Sequence, residues 1–182
     1  MDSVRSASGR MASAREPQGA LLLGQRLRAE LDSVWCGVLV SLGLRLRRST
    51  DAFVSYDGAG TLWIAPDVDL DAEDTLAQLI FHEVCHWAIE GEEAVHRVDW
   101  GFGPPSQDTA PEQRCLELQA AAARHFGLER LLRPTTEFAP WYDQALMREG
   151  ERLDPLQVGR FAPVVLQGLT ASRQLIKNAE RA

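Results

Sequence analysis

Leu76-Ala77-Gln78-Leu79-Ile80-Phe81-His82-Glu83-Val84-Cys85-His86-Trp87 decides how the chain is read. Leu76, Leu79, Ile80, Val84 and Trp87 recur at helical spacing, so the segment predicts an amphipathic helix. Residues four apart lie one turn above each other, which puts the His82 and His86 imidazoles within reach of one ion. Glu83 stands about 100° further round, where a carboxylate can handle the proton of a metal-bound water. Histidines inside an apolar helix would be costly without partners, and a bound divalent ion supplies one. The expected chemistry is activation of water or oxygen, with Glu83 as the acid/base group.

Two imidazoles are not a full coordination set. Catalytic zinc takes three protein ligands, and non-heme iron often takes two His and one carboxylate, so the cofactor is one divalent ion, iron or zinc. The third ligand must come from downstream. Glu117 is the first choice, because the run Ala120-Ala121-Ala122-Ala123 lets its helix approach closely and a dication favours a carboxylate. His96, Asp99 and His125 stand behind it as alternatives.

Around this helix the chain reads as one domain. Its 182 residues, 45% of them hydrophobic, suffice for one core and are short for two. Leu23, Leu27, Leu31, Val34, Trp35, Val38 and Leu42 form an apolar stripe and predict a packing helix. Phe53–Tyr56 and Thr61–Ala65 are β-prone runs flanking Asp57-Gly58-Ala59-Gly60, the pattern of an antiparallel hairpin with a four-residue loop. Asp71 is the expected N-cap of the metal helix and Gly91 its stop. Residues 91–111 carry several Gly and Pro together with Trp100 and Phe102, and read as a lid or pocket wall. Further helices are expected over Glu112–Phe126, Phe138–Glu149 and from Asp154-Pro155-Leu156-Gln157 onward. The fold class is therefore α+β: a mainly helical domain over 19–182, with a small antiparallel sheet packed on the metal helix in a zincin-like manner, preceded by a disordered tail over 1–18.

Composition narrows the partners. With 26 acidic against 19 basic residues and a net charge of −7, the chain is not expected to bind nucleic acid. No apolar run is long enough to predict a membrane span. Cys36, Cys85 and Cys115 are odd in number and lie in no CxxC pair, which fits small buried residues in a reducing cytoplasm.

His82-Glu83-Val84-Cys85-His86-Trp87-Ala88-Ile89-Glu90-Gly91, then Asp99-Trp100-Gly101, then Leu116-Glu117-Leu118-Gln119-Ala120, resembles the bacterial elongation factor P hydroxylase family. The resemblance covers about residues 30 to 130. It implies oxygen-dependent hydroxylation of a modified lysine on a protein substrate, elongation factor P. It also implies an iron site of His82, His86 and Glu117, with Asp99 and Trp100 at the basic substrate. The loop after Gly101 is richer in proline than the family's. The rival reading is a zinc metallopeptidase, in which Glu83 activates a zinc-bound water and Thr61–Ala65 serves as the edge strand that aligns a peptide.

Overall fold

The computed structural model describes residues 18–71, 73–101, 109–148 and 159–181. The expected tail, most of the 102–111 part of the loop and the expected helix start at Asp154 lie outside them. The described chain is mainly helical, with one small sheet. In order, it runs α1 (Gln18–Ser41), β1 (Arg45–Arg48), β2 (Val54–Tyr56), β3 (Thr61–Ile64), α2 (Leu76–Glu90), α3 (Ala110–Phe126), α4 (Ala139–Met147) and α5 (Pro163–Ala179). No helix among the described residues is long and apolar enough to cross a membrane.

The α1 stripe does what its period predicts. Leu31, Trp35 and Val38 are buried, and α1 packs on α2 and α5. The contact with α5 is tight at Gly168, where an added Cβ would lie 2.7 Å from a Val38 methyl. Gly168 is therefore the smallest side of a helix crossing rather than a helix end.

The hairpin forms as expected, with Tyr56 opposite Leu62 and Val54 opposite Ile64. Its loop is fixed by Asp57, whose Oδ1 accepts from the backbone N–H of Ala59 at 2.7 Å and of Thr61 at 2.9 Å. The sheet, however, is mixed. Strand β1 pairs parallel to β3, giving the order β1-β3-β2, so the Thr61–Ile64 strand is central and not an edge. Three arginines in the four residues of β1 leave no apolar alternation by which to recognise the strand. Its exposed side chains are those of a charged edge.

Helix α2 starts at Thr75 and not at Asp71. The Thr75 hydroxyl accepts from Gln78 N at 3.2 Å, and Asp32 on α1 takes the Ala77 N–H at 2.8 Å. A Thr followed three residues later by Gln is itself an N-terminal signature, and it outranks Asp71 because it stands in phase with the apolar run. Gly91, at φ 76°, ends the helix as expected. The chain then makes 3₁₀ turns over Glu92–His96 and Asp99–Gly101. Tyr56, Leu62 and Ile64 of the sheet share one hydrophobic cluster with Leu79, Ile80, Phe81 and Val84 of α2, so sheet and metal helix are fixed to each other.

Candidate metal centre

The small residues of α3 bring it onto α2 as predicted: Ala120, Ala121, Ala122 and Ala123 are all buried. What they deliver differs from the expectation. The buried stripe of α3 runs through Cys115, Leu116, Gln119, Ala120 and Ala123. Extended back by one turn, it passes through Glu112. At 100° per residue, Glu117 lies about 140° from Glu112 around the helix. Accordingly Glu117 faces outward and pairs with Arg148, while Glu112 reaches the histidines. Glu117, the first choice for third ligand, therefore does not join the cluster, and Glu112 stands beside the histidines instead. Of the other candidates, His96 and His125 are exposed, the latter against Phe126, and neither joins the cluster.

Glu112 bridges the two imidazoles. One of its oxygens lies 3.2 Å from His82 Nε2 and the other 3.2 Å from His86 Nε2, while the two Nε2 atoms are 3.1 Å apart. Ligand atoms around a tetrahedral ion with bonds near 2.0–2.1 Å are separated by about 3.3–3.4 Å, so these spacings are close to what an ion would need. Cys115 completes a group of four whose potential ligand atoms all lie within 4.8 Å of one another. Its thiol donates toward the His82 carbonyl at 3.5 Å and sits 3.9 Å from His82 Nδ1. His82, His86, Glu112 and Cys115 are therefore close enough to bind one metal ion.

The tautomer of His82 is set from behind. Gln119 Nε2 donates to the Leu132 carbonyl at 2.9 Å, which turns its Oε1 toward His82 Nδ1, also at 2.9 Å. An amide oxygen only accepts, so Nδ1 carries a proton and in the neutral ring the Nε2 lone pair faces His86 and Glu112. A partner holding the far nitrogen in this way orients a metal-ligating histidine. The sequence contained Gln119, yet only a neighbouring carbonyl brought in by the tertiary fold could assign its role.

Charge at the site is arranged for a cation. Burial opposes the imidazolium at His86, but Cys115 and the Glu112 carboxylate outweigh it and carry its pKa to about 10. At His82, burial is likewise overcome by Cys115 and Glu112, and the pKa rises well above the usual value. Burial alone would raise the Glu112 carboxyl; the two imidazoles, each 3.2 Å from one of its oxygens, hold it far below the carboxylate range. The Cys115 thiol is pushed up by its own burial and by a hydrogen bond with Cys85. Without an ion, protons occupy the place where a metal would sit, and metal uptake must displace them.

Glu83 lies on the next face of α2, with its Oε2 accepting from Trp100 Nε1 at 2.7 Å. Asp99 and Trp100, expected at the substrate, line the back of this arrangement. Asp99 Oδ1 accepts from Tyr56 N and Ser55 Oγ, both at 2.9 Å, and the Trp100 ring stacks on Tyr56 at 3.9 Å, 4° from parallel. Phe138, at the start of α4, covers His82 at 6.0 Å between ring centroids.

Comparison of the chain with protein-family models, curated proteins and solved structures found no match. The functional reading therefore stands on the site itself.

Proposed function

We propose that the protein is a divalent-metal-dependent enzyme in which His82, His86 and Glu112 hold the ion and Glu83 moves a proton beside it. The observation that carries this is the convergence of both Nε2 atoms and both Glu112 oxygens at 3.1–3.2 Å. The Cys115 sulfur lies on the Nδ1 side of His82, 3.9 Å from that nitrogen, and stands outside this set; two histidines and one carboxylate leave positions open on the ion, as iron-dependent oxygenases and catalytic zinc sites do. A metal helix sharing its core with a small sheet, and followed by a helix that brings a glutamate, supports the zincin-like reading of the fold.

Within that class we favour an oxygen-dependent hydroxylase resembling the elongation factor P hydroxylases, with iron as the metal and a lysine-bearing protein as substrate. The motif context supports it: the HExxHW helix ending in Gly91 and the Asp99-Trp100-Gly101 turn. The peptidase alternative loses its expected substrate rail, because β3 is hydrogen-bonded on both sides by β1 and β2.

The test is direct. Protein loaded anaerobically with ferrous iron, then given oxygen, a two-electron reductant such as ascorbate and elongation factor P bearing its modified lysine, should add one oxygen atom to that substrate by mass spectrometry, the second leaving as water. Zinc-loaded protein should not cleave unfolded casein. Casein cleavage by the zinc form, lost in Glu83→Gln, would move the assignment to the peptidase.

A further inference from the structure

Asp99, Trp100 and Gly101 have φ of 46°, 58° and 88°, three successive residues in the left-handed region, of which only the last is glycine. Side chains rarely adopt this backbone, and where they do the surroundings must hold them there. Here the surroundings are explicit. Asp99 is tied to β2 through Ser55 Oγ and Tyr56 N. Trp100 N donates to the Arg97 carbonyl at 3.2 Å and Gly101 N to the Val98 carbonyl at 2.9 Å. Tyr56, on which the indole lies, is itself anchored by donating its hydroxyl to the Val95 carbonyl at 2.7 Å.

What the twisted turn achieves is the direction of one N–H. Trp100 is 3% exposed, so its indole nitrogen needs a partner inside the protein. A backbone carbonyl would have served the core equally well. The partner is instead Glu83, the carboxylate immediately after a histidine of the metal cluster. We propose that Trp100 is a positioning residue for Glu83: the Asp99-Trp100-Gly101 turn, clamped to β2, aims the indole N–H so that Oε2 is held and Oε1 is left to act at the ion. This rests on the metalloenzyme reading, and it gives the turn a task distinct from substrate contact. The group that acts is Glu83; Trp100 acts through it.

Two measurements test it, both without substrate and the second with cobalt(II) as the probe. In metal-free protein, the indole resonance of Trp100, assigned through its contacts to the stacked Tyr56 ring, should shift more in Glu83→Gln than those of the other four tryptophans. In cobalt-loaded protein, the visible spectrum followed against pH has a midpoint set by ionisation at the open position of the ion. Glu83→Gln should move that midpoint. Trp100→Phe keeps a ring on Tyr56 but removes the N–H, and should move it in the same direction by at least half as much at unchanged cobalt stoichiometry. An unmoved Trp100 resonance in Glu83→Gln, or a wild-type midpoint in Trp100→Phe, overturns the positioning role while leaving the metal site standing. Failure of wild-type protein to bind cobalt removes the metalloenzyme reading and this inference with it, whereas a Glu83→Gln midpoint equal to wild type removes the role of Glu83, and this inference, but leaves metal binding standing. Should Trp100→Phe not fold, the wild-type and Glu83→Gln resonances decide alone.

Discussion

Two sides of the same helix are built by opposite means. On the side facing α3, everything is regular: His82 and His86 one turn apart meet Glu112, Cys115 and Gln119 spaced by three and four residues. On the side facing the sheet, Glu83 meets an indole carried on two non-glycine residues at positive φ. The first side sets distances between ligands, which two packed helices do well because their residues share a rigid repeat. The second must aim a single N–H from a loop, and only an unusual backbone supplies that direction. Convergence of the metal-binding candidates thus follows from helix phase, and the hold on Glu83, the proposed proton carrier, follows from a local departure from regular structure.

The comparison breaks most sharply at Glu112. Glu112→Ala should lower zinc or iron affinity by more than about 100-fold, beyond the 10–100-fold typical of a residue one layer out, as read by chelator competition. Equal affinity in the variant would detach α3 from the metal. Gln119→Leu comes next. It removes the acceptor that fixes the His82 tautomer, and affinity should drop by about 10–100-fold with the far-ultraviolet circular dichroism retained.

On the irregular side, Gly101→Ala places a Cβ 2.8 Å from Arg97 Cδ at φ 88°. Urea unfolding of the metal-free protein should show a loss of about 1–3 kcal/mol. A loss much below that would mean the turn is free to relax, and the contrast between the two sides would weaken.

A change of pH probes the regular side without mutation. The folded-state pKa of His86 is raised to about 10 from 6.5, so its contribution to stability is complete below about pH 6.5 and fades as pH climbs toward 10. Glu112 is shifted the other way, so its contribution is present above about pH 4.5 and is lost only well into acid. The urea midpoint of metal-free protein should therefore fall from pH 7 toward 10, whereas zinc-loaded protein, whose histidines are held neutral by the ion, should change less. Metal affinity itself should weaken as pH decreases, because protons compete for the same nitrogens. The smallest effect is at Glu117. Its ion pair with Arg148 is surface-exposed, so Glu117→Ala should leave metal affinity unchanged and cost about 0–1 kcal/mol in urea unfolding.

The boundary between what was legible and what was not follows physical lines. The α1 stripe, the hairpin around Asp57, the Gly91 stop and the body of the helix that carries His82 and His86 are all short-range patterns, and they appear where the sequence puts them. Strand β1 was not legible, because Arg45-Leu46-Arg47-Arg48 is recognised as a strand only by its pairing with β3. Asp99 and Trp100 stood out in the sequence, but that their side chains turn onto β2 and Glu83 was set by contacts between distant segments.

By itself the sequence determined the pair of histidines, the carboxylate beside them, and the close approach of an alanine-rich helix, because each depends on spacing within one element. The choice of Glu112 over Glu117, the tautomer set by Gln119, the thiol of Cys115 beside the histidines and the hold of Trp100 on Glu83 were decided only by tertiary structure. Helical spacing fixes which residues share a face. Which of those faces meet, and at what height along the helices, depends on packing between segments far apart in the chain.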